Sequence, residues 1–265
     1  MKANNITICV PSKGCTRNCP YCISKMTPNV IGVHKFSTER IMRAIAFAQT
    51  MGATSLLITS RGEPLLNIRD IRRVITIAKE KFIPSEIQTN GDIDKYVDEL
   101  AKNGLCVYAV SIDSIKQTEI QKRLYERVNH CSMILRWTVI LHDENMKLDV
   151  KNWLDLAQAH GVRQLSFRKL SVPLNPRDER PAKWIAQHSK NFPQWMKGLE
   201  AYIENRKIIR KLVFGPTVIE AESISLTYFP YCIQESGNEE ELRSLILRED
   251  GHIYTDWNSN ASILF

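Results

Sequence analysis

Short apolar runs alternate with amphipathic stretches along the first two thirds of the chain. Each run is five to seven residues long, contains β-branched or aromatic residues, and is typical of a β-strand. Between the runs, apolar residues recur at intervals of three or four, as in helices that bury one face. The pattern predicts strands at 6–10, 55–59, 85–89, 107–112, 135–141 and 163–167, and helices at 37–51, 67–82, 92–103, 116–129 and 150–160.

Strands that alternate with helices predict βαβ units and therefore a parallel sheet. Ser37 and Asp149 stand where helix N-caps are expected, which supports two of the predicted helix starts. Six strands are too few for a closed eight-stranded barrel. The pattern therefore predicts an α/β fold, an open partial (β/α)6 barrel, with functional groups at the C-terminal ends of its strands.

The pattern changes near residue 172, where a proline-rich segment at 171–181 reads as a loop. The remainder predicts helices at 181–190 and 193–210, strand-like runs at 211–214 and 219–229, and a hairpin at 244–257. The hairpin is centred on Asp250-Gly251, a preferred two-residue turn. We therefore divide the chain into a core, residues 1–172, and a C-terminal α+β cap, residues 173–265. The cap is expected to close the barrel mouth, with Trp184, Trp195 and the hairpin offering an apolar wall to a substrate.

Three closely spaced cysteines follow the first predicted strand and carry the most specific chemical signal. Cys15, Cys19 and Cys22 lie in the run GCTRNCPYC with the spacing C-x3-C-x2-C. Chance gives this spacing with a probability of roughly 0.005, since 7 of the 265 residues are cysteine. Three thiolates in one loop can hold three irons of a [4Fe–4S] cube and leave the fourth iron open to a small molecule. A zinc site is the alternative, and it needs a fourth ligand such as Cys9 or His34.

The cysteine spacing resembles that of the radical S-adenosylmethionine (SAM) superfamily. Tyr21, directly before the third cysteine, matches an aromatic residue that is usual in that family. The resemblance covers about residues 5–172 and implies a partial barrel with one [4Fe–4S] cluster. It also implies that the open iron is chelated by the amino and carboxylate groups of SAM.

The segment after the second predicted strand resembles the family's Gly-Gly-Glu-Pro turn, which holds the SAM amino group. Gly62, Glu63 and Pro64 match that turn, and Arg61 replaces its first glycine. The bulkier arginine restricts the backbone there, although Glu63 can still take its role. The alternative is that Glu63 is an exposed loop residue.

The ends of the third and fourth predicted strands resemble two further parts of the family's SAM pocket. Thr89 and Asn90 match a Thr-Asn-Gly segment that lines the pocket, although Asn-Gly is also a common turn. Ser111 and Asp113 match a Ser-x-Asp pair that lies near the SAM ribose. They share one face of the strand because side chains alternate. The alternative for Asp113 or its neighbour Ser114 is a helix cap.

Two arginines and a leucine complete the predicted cofactor site. Arg123 stands where related enzymes place an arginine against the SAM carboxylate, and Arg127, one helical turn on, is the competing choice. At the end of the sixth strand, Arg168 and Leu170 lie in a segment that resembles one whose main chain meets the adenine. The Arg168 side chain either faces the substrate or pairs with Asp113.

Composition places the protein among ordinary globular proteins and excludes several classes. The net charge is +7, but Lys and Arg are spread along the chain, which favours solvated helix faces over a nucleic-acid surface. The chain has no apolar run long enough to span a bilayer and no signal-peptide pattern, so we predict a cytoplasmic protein. An odd number of cysteines, 7, argues against a disulfide framework.

The remaining cysteines do not predict a second cluster. Cys232 is the single cysteine beyond residue 131, and one cysteine is too few for another cube. Two roles are open for Cys232, a residue buried in the core and a residue of the functional site. Cys106 and Cys131 lie in apolar or helical contexts and are expected to be buried.

These observations predict a radical SAM enzyme with one [4Fe–4S] cluster and SAM as cofactors. By resemblance, SAM is cleaved reductively to a 5′-deoxyadenosyl radical, with an electron donor such as flavodoxin or ferredoxin. The radical abstracts hydrogen from a small-molecule or nucleotide substrate; oxidoreductase, transferase and lyase outcomes are all open. The alternatives are a peptide or protein modifier, including a glycyl-radical activase, and a non-catalytic iron–sulfur or zinc protein.

Overall fold

The computed structural model describes residues 1–29, 36–212, 217–229 and 241–265. The strands are β1 Lys2–Val10, β2 Leu56–Ser60, β3 Ser85–Thr89, β4 Val107–Ile112, β5 Ile134–Leu141, β6 Gln164–Lys169, β7 Ile208–Lys211, β8 Thr217–Ala221, β9 Ile224–Phe229, β10 Glu241–Leu247 and β11 Ile253–Tyr254. The α-helices are α1 Ile23–Met26, α2 Thr38–Thr50, α3 Ile68–Glu80, α4 Val97–Asn103, α5 Ile115–Ile120, α6 Lys122–His130, α7 Val150–Ala159, α8 Glu179–His188 and α9 Phe192–Ile203.

All the strands form one sheet in the order β11-β10-β1-β2-β3-β4-β5-β6-β9-β8-β7. The strands from β10 through β1 to β6 and on to β9 run parallel, and β11, β8 and β7 are antiparallel to their neighbours. The two end strands, β11 and β7, do not pair with each other among the described residues. The predicted α/β fold with an open partial barrel is therefore confirmed.

The strands β1 to β6 overlap the predicted ranges, and β3 and β4 match to the residue, whereas β1 begins earlier than predicted, at Lys2. Apolar residues on one face, such as Ile6, Ile8 and Leu165, pack into the core beneath the helices. The other face points into the barrel and carries many polar residues, because side chains alternate along a strand. Both N-cap predictions hold, since Ser37 accepts a hydrogen bond from the Arg40 backbone and Asp149 from the Asn152 backbone.

Three predicted helices differ from the structure. The helix expected at 116–129 is two, α5 and α6, separated at Gln121, whose side chain donates to the Asn90 carbonyl at 2.9 Å. The helix expected at 92–103 begins only at Val97. The helix expected at 193–210 ends at Ile203, and the residues that follow form β7, which pairs with β8. In this last case strand pairing overrides local helix propensity.

The residues after 172 complete both sides of the sheet. β10 runs parallel to β1, with Ile6 opposite Leu245, and β9 runs parallel to β6, with Ser166 opposite Thr227. The sequence predicts strands here but not their positions. The run predicted at 219–229 divides into β8 and β9, with Glu222 at the turn in a left-handed conformation.

The predicted C-terminal hairpin is present as β10 and β11, which pair Leu247 with Ile253. Its connection differs from the predicted two-residue turn, because the Arg248 backbone N–H donates to the His252 carbonyl. The loop is therefore Glu249-Asp250-Gly251, and Gly251 has a positive φ of 80°. Such three-residue loops place glycine at this left-handed position.

Three further side chains differ from expectation. Trp195 packs against Phe167 at 4.8 Å between ring centroids, on the helix-covered face of β6, so it does not line the barrel mouth. Cys106 is exposed directly before β4, and Cys131 is half-buried directly after α6. Both were expected to be buried. Cys232 lies outside the described residues.

No helix within the described ranges is both long enough and apolar enough to cross a membrane.

Candidate active site

Residues 11–22, here called the cysteine loop, connect β1 to α1 at the C-terminal edge of the sheet. Cys15 is exposed, Cys19 and Cys22 are half-buried, and all three thiols are free. The turn after β2 is held against this loop, because the Glu63 backbone N–H donates to the Gly14 carbonyl at 2.9 Å. A Cβ on Gly62 would lie 1.9 Å from the same carbonyl oxygen. Only glycine permits this close approach, which ties the turn to the cysteine loop.

Glu63 is buried, with 2% of its surface exposed, and is not the exposed loop residue of the alternative interpretation. Its carboxylate accepts hydrogen bonds from the Thr89 hydroxyl at 2.7 Å and from the backbone N–H groups of Leu65 and Asn90, each at 3.0 Å. Burial raises the pKa of this carboxyl, and the bonds from Asn90 and Thr89 oppose that rise. Glu63 therefore fixes the end of β3 relative to the turn after β2.

Arg17, between the first and second cysteines, connects the loop to two strand ends. Its guanidinium donates to both carboxylate oxygens of Asp113, at 2.9 and 3.0 Å, and to the carboxylate of Asp92. It also donates to the Asn90 carbonyl at 2.9 Å and to the Gln117 side chain at 3.1 Å. Only 19% of the Arg17 side chain is exposed. One arginine thus faces two carboxylates and offsets part of the negative charge at the ends of β3 and β4.

The Arg17 cluster sets the ionisation of its neighbours. Burial alone would raise the pKa of Asp92, but hydrogen bonds and charge from Arg17 bring that pKa below its ordinary value. Burial and the Asp113 carboxylate raise the pKa of Cys19 to about 11, and the Cys19 thiol lies 3.9 Å from that carboxylate. Asn90 reaches the loop from the other side, with its amide 2.8 Å from Thr16 and 3.9 Å from the Cys15 sulfur.

The start of the C-terminal region packs against the end of the cysteine loop. Trp184 on α8 lies 5.2 Å from the Tyr21 ring and 5.6 Å from the His142 ring. Leu170 joins the same small apolar cluster as Tyr21 and Trp184. Arg177 donates to the Ser24 and Lys25 carbonyls just after the third cysteine. The aromatic contacts and these bonds hold the end of the cysteine loop at Tyr21 and the start of α1.

The predicted site residues do not all meet at this edge. Cys15, Cys19, Glu63, Thr89, Asn90 and Asp113 are connected through the contacts above. Ser111 is half-buried at the end of β4, on the same strand face as Asp113. Arg123 is exposed on α6, and the contacts described for the chain include none from it to the cysteine loop. Arg127 pairs instead with Asp98. Arg168 lines a separate cavity inside the barrel.

The sequence predicts no contact for Arg17 and assigns no role to Arg61, although both arginines hold the cysteine loop or the segment after it. Arg17 lies inside the cysteine motif, and its position there was the one available signal. Arg61 donates to the backbone carbonyls of Pro28 at 2.6 Å and Thr27 at 3.1 Å, and to the Thr27 hydroxyl at 2.8 Å. The residue that replaces the family's glycine therefore holds the segment that follows Cys22.

The cysteine loop has the chemistry expected of a [4Fe–4S] ligand set. It offers three free thiols, and the Arg17 backbone N–H lies 3.5 Å from the Cys15 sulfur, where it can stabilise a thiolate. Within the described ranges no three His, Cys, Asp or Glu side chains are close enough to hold a single metal ion. Cube ligands each bind a different iron and so need not converge on one point. Of the candidate fourth zinc ligands, Cys9 is buried in β1 and His34 lies outside the described residues.

Two curated proteins of Methanocaldococcus jannaschii are similar to parts of the chain. One, provisionally named a glycyl-radical enzyme activating enzyme, is 34% identical over 102 residues, 38% of this chain and 39% of that protein. The other, an uncharacterized protein, is 26% identical over 105 residues, 39% of this chain and 32% of that protein. The matches thus span well under half the length of these relatives.

Solved structures share the fold across nearly the whole chain. Streptococcus suis SuiB bound to the precursor peptide SuiA aligns with a TM-score of 0.63 at 14% identity, covering 95% of this chain and 59% of SuiB. Native anSMEcpe with bound AdoMet aligns with a TM-score of 0.54 at 13% identity, covering 95% of this chain and 73% of that one.

The family model described as the Radical SAM superfamily matches residues 9–151, more than half of the chain. The matched segment contains the cysteine loop, the Gly62-Glu63 turn and the ends of β3 and β4. Members of this superfamily are enzymes, and the family implies a [4Fe–4S] cluster, SAM and a reductant. The chain belongs to the radical SAM superfamily.

Proposed function

We propose that Cys15, Cys19 and Cys22 hold one [4Fe–4S] cluster, which the enzyme uses with SAM to act on a small-molecule or nucleotide substrate. The observation that carries this proposal is the link between the cysteine loop and the strand ends. Asn90 approaches Cys15, and Asp113 approaches Cys19, each at 3.9 Å. These contacts bring two of the thiols next to residues that resemble a SAM pocket, which supports the proposal.

When bound, the cluster and SAM supply an electron transfer that cleaves SAM to methionine and a 5′-deoxyadenosyl radical, which takes hydrogen from the substrate. The chain's own residues orient and shield the reactants. Glu63 fixes Thr89 and Asn90 at one wall of the pocket, and Asp113 presents a carboxylate at the next strand end. Tyr21, Leu170 and Trp184 exclude water from one side, which protects a radical from side reactions.

Arg17 bears on SAM binding in two ways in this proposal, through its bond to Asp113 and through its own charge. Asp113, which by resemblance lies near the SAM ribose, is paired with Arg17 in this structure. Arg123, the predicted carboxylate ligand, is exposed, so Arg17 becomes the nearer cationic candidate for the SAM carboxylate. Its forked donors suit a carboxylate.

The size of the space inside the barrel supports a small substrate. The cavity there has a volume of about 150 Å³. A cavity of about this size holds one benzene-sized group. It can accept a small molecule, or one end of a nucleotide, more readily than a folded protein loop.

A peptide or protein substrate is the second candidate, and two comparisons favour it. One curated relative is named for activating glycyl-radical enzymes, and SuiB was solved with a precursor peptide. The chain covers only part of those proteins, so a peptide or protein substrate is a proposal for this chain. A single side chain of a peptide would also fit the cavity.

The experiment measures iron content and 5′-deoxyadenosine release from SAM by the anaerobically reconstituted, reduced full chain. We expect about four irons per chain, which corresponds to one cube. Cys15→Ala, Cys19→Ala and Cys22→Ala should each lose the cluster and all SAM cleavage. Cys106→Ala, which changes an exposed cysteine outside the loop, is the matched control and should retain both.

Full SAM cleavage in any one of the three loop variants would contradict the cluster assignment. About eight irons per chain, lowered by Cys232→Ala, would contradict the single-cluster proposal. An iron-containing protein that never cleaves SAM would instead support a non-catalytic iron–sulfur protein.

A further inference from the structure

The cavity inside the barrel is chemically different from the edge that carries the cysteine loop. Its walls come from β1, β2, β3, β6 and β10, and its cover includes Ile23, Ser24 and Thr27 of the segment after the third cysteine. Three arginines, Arg61, Arg168 and Arg243, are among the lining residues. No lining residue in the described part of the chain is an Asp or Glu.

Arg168 belongs to the wall formed by β6. Leu165 and Phe167 on this strand are buried in the core beneath the helices. Strand alternation therefore places Arg168 and Ser166 on the face that points into the barrel. Arg168 is half-buried, so its charge sits in a partly dehydrated space where an anion is attracted more strongly than in water.

Arg61 adds a second fixed positive charge at the top of the cavity. Its hydrogen-bond partners are the neutral oxygens of Ser24, Thr27 and Pro28, which orient the guanidinium without cancelling its charge. The Glu249 carboxylate, which lies beside Cys9, attracts the Arg61 guanidinium, whereas the positive charge of Arg177 repels it. Among the described residues, three arginines line the cavity, and the Glu249 carboxylate is the acidic group that acts on Arg61.

Neutral hydrogen-bonding groups complete the lining. Thr7 and Ser244, on β1 and β10, bond to each other through their hydroxyls at 2.6 Å. Asn5, Thr59 and Gln88 also reach the cavity wall. An arrangement of arginines with hydroxyl and amide groups is the usual chemistry of carboxylate and phosphate recognition.

We propose that this cavity binds an anionic group of the substrate, a carboxylate or a phosphate, and that Arg168 is a specificity-determining residue for it. The inference rests on the proposed function, since it names the substrate class of the same enzyme. The cavity admits one compact anionic group rather than a whole large substrate. The reacting carbon of such a substrate would extend from the cavity toward the cysteine loop, past Ser24 and Thr27.

The competing explanation is that the arginines serve the carboxylate of SAM. SAM also carries an ammonium and a sulfonium, so its net charge is positive. Those cations suit the carboxylate-rich ends of β3 and β4 better than a cavity lined by three arginines. If the arginines bind the carboxylate of SAM, SAM and a small anion exclude each other. If the arginines bind the substrate, SAM and a small anion bind together.

The test uses inorganic phosphate and acetate as probes on the reconstituted full chain, at constant ionic strength set with chloride. Saturable binding is followed by calorimetry and by thermal stabilisation, with and without SAM. We expect phosphate or acetate to bind both without and with SAM. Arg168→Gln should weaken that binding by about 10-fold to 100-fold, the usual loss for a charge-assisted hydrogen bond.

Arg163→Gln is the matched control, because Arg163 is exposed just before the same strand, and it should bind the probes as the wild type does. Arg168→Lys keeps the charge but loses the fork, and should show a smaller loss. If Arg168→Gln does not fold, Arg168→Lys still decides the question. Tighter phosphate binding would indicate a phosphorylated substrate, and tighter acetate binding a carboxylate substrate.

Neither probe binding saturably, or equal binding by the Arg163 and Arg168 variants, would overturn the inference. Competition between SAM and the probes would also overturn the inference, because such competition would mean that the arginines bind SAM. Wild-type SAM cleavage is measured in parallel. Cleavage without probe binding removes this inference and leaves the proposed function. Probe binding without cleavage removes the proposed function and, with it, the assignment of the anion as a group of the substrate.

Discussion

Two polar regions inside and above the barrel carry opposite charge. The acidic region contains Asp92 and Asp113 at the ends of β3 and β4, and the chain closes it with its own Arg17. The basic region is the cavity lined by Arg61, Arg168 and Arg243. The α1 segment, which begins directly after Cys22, lies over the cavity. A cationic cofactor and an anionic substrate can thus be separated on either side of the cysteine loop.

The two regions also differ in how the chain builds them. The acidic region uses residues of the core, 1–172, and is held together by Arg17, which bonds to residues at the ends of β3 and β4. The basic region needs β10 from the C-terminal part of the chain, which brings Arg243 and Ser244 beside β1. The difference teaches that the part of the chain predicted as a cap also forms a wall of the barrel.

Removing residues 173–265 should have the largest effect, because it separates the acidic region from the strand that completes the basic region. The truncation keeps every residue of the acidic region but removes β9 and β10, and so exposes the edges of both β6 and β1. Exposed parallel edges with buried apolar faces aggregate, so we expect no soluble, cooperatively folded core. Soluble yield and thermal unfolding measure this; a fragment 1–172 that unfolds cooperatively would show that the two regions are independent.

Glu63→Ala should have the next largest effect because it removes a buried carboxylate with three hydrogen bonds. The unpaired donors on β3 should lower the free energy of unfolding by about 1–3 kcal/mol. SAM affinity should fall by roughly 10-fold to 100-fold. Calorimetry and urea unfolding measure these losses, with the exposed Glu126→Ala on α6 as control. Equal stability and affinity in the two variants would contradict the role of Glu63.

Asp113→Asn isolates the charge of the acidic region, since it keeps the shape of that region and removes one negative charge. SAM affinity should fall by about 10-fold through loss of a charge-assisted contact, with iron content near that of the wild type. Iron analysis and SAM titration measure both quantities. Unchanged SAM affinity would place the pocket elsewhere.

The smallest effect concerns pH and the ion pair between Asp92 and Arg17. The pKa of Asp92 is lowered in the folded protein, so the pair contributes stability above the ordinary value of 3.8. That contribution is lost as the pH falls through the lower folded pKa. Partly exposed pairs are worth up to about 1 kcal/mol. The unfolding free energy of wild type minus that of Asp92→Asn should be constant near neutral pH and shrink below pH 3.8; a difference that grows there would contradict the pairing.

The core strands could be predicted because each carries its own signal, an apolar face bounded by polar residues. The places of β9 and β10 could not, since their pairing with β6 and β1 joins residues far apart in the chain. The same limit applies to the site. Gly62 and Glu63 resemble a family motif that can be read locally. The role of Arg17 depends on the meeting of Asp92 and Asp113, which only the folded sheet brings about.

The separation of the two regions is measured by the ratio of SAM affinity to phosphate affinity, determined by calorimetry in two variants of the full chain. We expect Asp113→Asn to lower this ratio, because the acidic region serves the cofactor. We expect Arg168→Gln to raise the ratio, because the basic cavity serves an anionic substrate. The same change of ratio in both variants, or no change in either, would contradict the separation of the two regions.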